Sequence, residues 1–346
     1  MTAADVVALV LLLAMTAYAC GGGTDYGAGL WDLVAGGTDR GERPRALIDY
    51  AMAPVWEANN VWLIFVLVVL WTGFPTVLAA VFSTAWIALL LGVLGLVLRG
   101  AGFAFRKPTR KLAHRRRYGA VFGISSILTP FFFAATIGGV ASGRIRVDVH
   151  GDELTSWLNP TSVTFGVLTT VATAFIGAVF LQQDARRFGA PDLVAYFRRR
   201  ALGSAVAMFV VGVAGIIVLR FDARYVYDGL LRGWGLVFVL IALVAAAVTV
   251  VLVHGDVGRG VRWAATATVA STVFAWGMAQ RPYILPTTLT IQQAAGDRNS
   301  LRWLVFVTVV ALILVVPSLI VLYRLDTRGR LVSDHDDHGG AARAAD

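Results

Sequence analysis

The chain has 346 residues, of which 58% are hydrophobic and 15% charged, with a mean hydropathy of +0.72 and a formal net charge of +9. No soluble fold hides that much apolar side chain, so the composition excludes a soluble globular protein and indicates an all-α polytopic membrane protein. The positive charge does not signal a nucleic-acid partner, because it is confined to segments between apolar runs, and the single cysteine, Cys20, excludes an internal disulfide framework or a thiolate-held cluster within this chain.

A helix needs about 20 apolar residues to cross the hydrocarbon core. Nine runs qualify in chain order, at 4–20, 55–73, 76–98, 118–141, 161–181, 201–219, 230–253, 263–279 and 301–323. The first lacks a basic leader and a cleavage pattern and reads as a retained span. Between the first and second runs, "RGERPRALIDYAMA" is too polar to span and fits a short amphipathic helix at the interface. A turn around Gly73 to Pro75 joins the second and third. With the N-terminus outside and the C-terminus cytoplasmic, most of the 30 Lys and Arg residues fall in cytoplasmic segments. "RGAGFAFRKPTRKLAHRRR" after the third run contributes the most. The organisation expected is a single transmembrane domain over 1–324 and a polar, disordered cytoplasmic tail over 325–346. Gly92 and Gly95, Gly119 and Gly123, and Gly212 and Gly215 offer close helix packing.

Histidine is the natural first place to look for chemistry in a membrane. His114, His150, His254, His335 and His338 all fall outside the nine runs. A haem buried in the bilayer takes axial His, Met or Cys from its helices, and Met208 and Met278 read as packing residues, so no haem ligand is expected from this chain. No metal site is expected either, and "SDHDDH" in the tail reads as solvated.

Acidic residues are more informative. Asp25, after the glycines of "CGGGTDYGAG", is either a helix N-cap or a group facing a polar cavity. Glu57 follows Pro54, which suits the first turn of a helix, where the dipole favours an anion. That accounts for an acid near a helix end and leaves Asn59 and Asn60 unexplained. Asn60 lies three residues after Glu57, on the same helical face, so the two can line one polar path. A carboxylate near the membrane interior is costly and by default marks an ion or proton path. Arg99 closes the third run, either anchored to headgroups or paired with a carboxylate in the bundle. Trp56, Trp62, Trp71 and Trp86 read as belt or packing residues.

Four stretches together resemble subunit II of the cytochrome bd-type quinol oxidases: "GTDYGAGLWDL", "APVWEANNVWLIFVLVVLWTGFP", "LRGAGFAFR" and "RPYILPTTLTIQQAAG". Their order and spacing match over nearly the whole chain except the tail. The resemblance implies two four-helix bundles plus one extra helix, in the bacterial plasma membrane. It implies a haem-bearing subunit I as partner, carrying haem b and haem d, or haem b alone, and in some members small single-span accessory subunits. The complex so implied oxidises quinol and reduces dioxygen to water with protons drawn from the cytoplasm, generating a proton-motive force. Glu57 matches the acidic position of the family's W-[DE]-x-N motif and Asp25 the aspartate of its G-x-D-x-G motif, which with Asn60 makes a proton path. Arg99 matches the arginine that closes the third span, and Trp56, Trp62 and Arg99 are the supporting or quinone-contact positions where a member holds a structural quinone. Ala104 and Asn60 depart from the pattern: other members carry an acid at the first and His or Gln at the second. The competing readings are a secondary transporter with an intramembrane carboxylate and a purely structural partner in which Glu57 only caps its helix.

Overall fold

A computed structural model describes residues 2–52, 56–106, 112–147 and 151–327; the side chains at several helix ends, those of Trp56 and Glu57 among them, lie outside that description. The chain is almost entirely helical. The first element, α1 (Ala3–Leu33), is followed by α2 (Thr38–Met52), α3 (Trp56–Gly73), α4 (Pro75–Thr84) and α5 (Trp86–Arg106). Then come α6 (Leu112–Ala141), α7 (Pro160–Arg187), α8 (Pro191–Asp222), the short α9 (Arg224–Leu230), α10 (Gly233–His254) and α11 (Val261–Gln280). A small hairpin of β1 (Tyr283–Leu285) and β2 (Leu289–Thr290) leads through α12 (Ile291–Ala294) to α13 (Arg298–Thr327).

Among the described residues six helices are long and apolar enough to cross a membrane, namely α1, α5, α6, α7, α8 and α10; α3 and α4 together make a seventh if counted as one bent span. The flanks of α8 and α10 present Phe209, Val210, Ile217, Leu240, Val244 and Val251 outward, as helices facing lipid do. α1 is the hub, packed against α3, α6, α7, α11 and α13.

Three differences from the sequence reading have physical causes. α1 does not end near Cys20 but continues through the glycines to Leu33. Gly21 stands against the Asn59 side chain, Gly27 against the backbone of Thr173 and Gly177, and Gly29 against Ser126. Close packing on three neighbours outweighs the intrinsic penalty of glycine in a helix. The run at 76–98 is not one helix either. Pro75 starts α4 after a 116° bend at Phe74, and a second break at Ala85 separates α4 from α5. Of the paired glycines, Gly92, Gly95 and Gly123 meet a neighbouring helix closely, whereas Gly212 faces open space. The polar segment after the first span forms a helix as expected, α2.

Ion pairs staple the loops at both ends. Arg144 reaches Asp222 with two bonds of 2.6 and 3.1 Å, and Asp222 also accepts from the Thr161 amide and hydroxyl. At the opposite end Arg262 binds Asp184 at 2.5 Å, and Arg186 binds Asp256.

Candidate functional site

The polar centre of the molecule lies where α1, α5 and α6 meet. Asp25 stands mid-helix in α1, so it cannot be an N-cap, and Arg99 stands in α5. Their side chains are 5% and 3% exposed. Arg99 Nη1 donates to Asp25 Oδ2 at 3.0 Å, Nη2 donates to the Asp25 carbonyl at 3.1 Å, and Nε donates to Ser126 Oγ at 3.0 Å. The guanidinium also lies 4.8 Å from the Tyr26 ring centre and 5.0 Å from that of Phe122, a cation–π arrangement. Of the two readings open for Arg99, the buried pair is the one observed, not the headgroup anchor.

An isolated charge at this depth would be prohibitive, and pairing makes it tenable. The pairing is incomplete in one respect. Oδ1 of Asp25 sits 2.8 Å from Arg99 Nη2, yet no donor hydrogen is directed at it. The ion-pair contact compensates the charge of that oxygen without a well-aligned hydrogen bond.

Around this pair the helices carry further polar groups. Ser126 passes its own hydrogen to the Phe122 carbonyl at 2.7 Å. The hydroxyls of Tyr18 and Tyr26 share a hydrogen bond of 2.7 Å. Asn59 is buried and donates to the Gly21 carbonyl at 2.9 Å, tying α3 to α1. The neighbouring Asn60 is half-buried, so the asparagine that reaches α1 is the one before it. Trp62 is half-buried and edge-on to Phe65, with ring centres 6.4 Å apart. Glu57 and Trp56 stand in the first turn of α3, and their side chains lie outside the described residues.

Sequence reasoning missed Tyr18, Tyr26, Ser126 and Asp32 as members of one polar stripe. The signal was present: Tyr18, Asp25 and Asp32 recur at seven residues, two helical turns. It is visible only if the helix is carried past the glycines.

Among the described residues no three His, Cys, Asp or Glu side chains gather to hold a metal. His254 is exposed at the end of α10. Cys20 Sγ lies 3.7 Å from the Thr266 carbonyl, and Met208 and Met278 are partly buried in α8 and α11.

Residues 3–326 match the family model described as cytochrome bd terminal oxidase subunit II. A chain from Bacillus subtilis (strain 168), provisionally described as a cytochrome bd menaquinol oxidase subunit II, is 21% identical over 88% of this chain and 90% of its own length. The cytochrome bd-I ubiquinol oxidase subunit 2 of Escherichia coli (strain K12) is 27% identical over 50% of this chain and 47% of its own. In fold, the chain is similar to a chain of the bd oxidase structure from Geobacillus thermodenitrificans, with a TM-score of 0.74 and 24% identity, covering 94% of this chain and 98% of that one. Relatives of this kind are bacterial inner-membrane proteins, and six apolar helices suit this chain to the same place. A helical hub with a buried acid–arginine pair, matched from end to end, leaves one assignment: the chain belongs to the cytochrome bd terminal oxidase subunit II family.

Proposed function

We propose that this chain is the haem-free subunit of a quinol:dioxygen oxidoreductase, assembled with a haem-bearing partner, and that it conducts protons from the cytoplasm toward the oxygen-reducing centre of that partner. Family membership over nearly the full length carries this reading. The haems, when bound in the complex, supply electron transfer from quinol to dioxygen. The chain's own part is to hold and move protons and to brace the partner.

In this reading the chain makes nine crossings, with α11 and α13 added to the six apolar helices and to the bent α3–α4 pair. The N-terminus is outside, which puts the basic ends of α5 and α6 in the cytoplasm. Glu57, in the first turn of α3, takes up protons at that side, with Asn60 on the same face. Asn59 binds α3 to α1 at Gly21, one turn from Asp25. Asp25 receives the proton on its undonated Oδ1, while Arg99 holds the other oxygen and keeps the group from drifting. Where a structural quinone is held, Trp56, Trp62 and Arg99 are its contacts.

Glu57→Gln tests the path. In the intact complex, quinol oxidase turnover is expected to fall roughly tenfold or more, the scale of a lost acid–base group, with haem content retained. Unchanged turnover would reduce Glu57 to a helix-start residue.

A further inference from the structure

α10 and α11 are joined by the glycine-rich turn "GDVGRG", Gly255 to Gly260, at the end of the bundle where Arg262 binds Asp184. Gly260 is the N-cap of α11. It lies in the left-handed region, with φ +80°, and brings no side chain to the helix start. Among the described residues nothing accepts from the amides of Val261, Arg262 and Trp263. A Cβ on Gly260 would meet no atom within 4 Å, and the first turn carries no acid. A helix of 20 residues thus directs three N–H donors and the positive end of its dipole at an open approach.

Water alone could satisfy a helix start. The side chain beside the turn needs more. Gln183, near the end of α7, is 8% exposed. Its Nε2 is buried and has no hydrogen-bond partner, and its Oε1 stands 3.4 Å from the point a Cβ on Gly258 would occupy. A half-turn of the carboxamide exchanges its two ends and sets a donor against the turn. A buried amide is costly to leave without a partner, so the position suits an acceptor brought from outside the chain. Arg186 Nη1 lies 3.4 Å from the same point. The acids nearby are already neutralised, Asp256 by Arg186 and Asp184 by Arg262. Arg259 in the turn, and Arg187 on the face of α7 that carries Gln183, are exposed and have no acid partner among the described residues. The surplus charge around the turn is therefore positive. Apolar surface adjoins it: Trp263 is 80% exposed and Val257 43%. Tryptophan takes such a place at the level of lipid headgroups.

We propose that this turn binds the phosphate group of an anionic phospholipid. The α11 amides, Gln183 Nε2 and Arg259 donate to the phosphate oxygens, as helix starts and basic pockets at the membrane surface do, and Trp263 lies along the lipid. Free phosphate offers the same oxygens and leaves Trp263 and Val257 bare, which favours the lipid. The bound headgroup ties the α10–α11 turn to α7. Lipid capture here is independent of any proton path through Glu57.

The test titrates the intact complex, delipidated in neutral detergent, with short-chain phosphatidylglycerol and follows the thermal midpoint, which a ligand of the folded state raises with its concentration. The wild type is expected to show a saturable rise, with none from phosphatidylcholine or inorganic phosphate. Gln183→Leu and Arg259→Gln should each weaken the apparent affinity about tenfold, the scale of one charge-assisted hydrogen bond. Without lipid, Gln183→Leu should melt no lower than the wild type, because the amide it removes has no partner in the chain. If that variant fails to assemble, Arg259→Gln, a change at an exposed position, carries the test. Arg232→Gln, exposed at the opposite end beside the start of α10, is the control and should titrate like the wild type. Equal weakening by Arg232→Gln would mean diffuse attraction to anionic lipid and would overturn the site. Wild-type affinity in both turn variants overturns it as well, and an equal rise with inorganic phosphate overturns the lipid as occupant.

Discussion

Replacing Arg99 by methionine is expected to abolish most of the assembled protein. The guanidinium makes hydrogen bonds to the Asp25 carboxylate, the Asp25 carbonyl and Ser126, all buried. Methionine fills similar volume and supplies no donor, so Asp25 becomes a buried charge without a counterion. Removing one member of a buried pair costs about 3–5 kcal/mol, a large share of the net stability of most domains. The double variant Arg99→Met with Asp25→Leu removes both charges and should recover most of that loss. The difference between single and double variants isolates the pair. The readout is the yield and thermal midpoint of the detergent-solubilised complex. A single variant no worse than the double would mean that Asp25 does not depend on Arg99 for its charge. The recovered double variant should still turn over slowly, because stability and proton transfer then part company.

Gly27→Ala is expected to be nearly as damaging, though it adds a single methyl. A Cβ at this position would lie 1.9 Å from the Thr173 carbonyl oxygen and 2.9 Å from the Gly177 Cα, both backbone atoms of α7. A flexible side chain could swing aside; a helix backbone cannot. Overpacking a well-packed core costs about 1–3 kcal/mol, and here α1 and α7 must separate, which also moves Asp25. Gly177→Ala should behave alike, since its Cβ would stand 2.7 Å from the Gly27 Cα. Gly203 and Gly212 on α8 face open space, so alanine there should be neutral or stabilising by up to about 1 kcal/mol. Thermal midpoints of the four variants give the comparison. Equal effects at all four would show that the α1–α7 contact is not the tight one.

How much of this was legible in the sequence differs from one element to another. The apolar runs corresponding to α6, α7, α8 and α10 have uninterrupted lengths that a bilayer requires, and periodicity needs no tertiary context to show them. α1 was truncated because glycine's local preference argues for a break, and only the neighbours at Asn59, Ser126 and Gly177 cancel it. The break at Ala85 carried only a weak local signal, Ser83 and Thr84 just before it in an otherwise apolar run. At the site, Asp25 and Arg99 were each visible as charges in the wrong place. Their pairing was one of two options for Arg99, since contact across 74 residues is a tertiary fact. Asp32 went unnoticed because a helix ending at Cys20 puts it in a loop, where an aspartate needs no explanation.

The most direct measurement is the visible spectrum and subunit composition of the complex purified through a tag on this chain. The account predicts reduced-minus-oxidised haem absorbance together with a second, haem-bearing polypeptide, and quinol-dependent oxygen consumption by the same preparation. A colourless preparation of this chain alone, or haem iron ligated by this chain's own side chains, would contradict it.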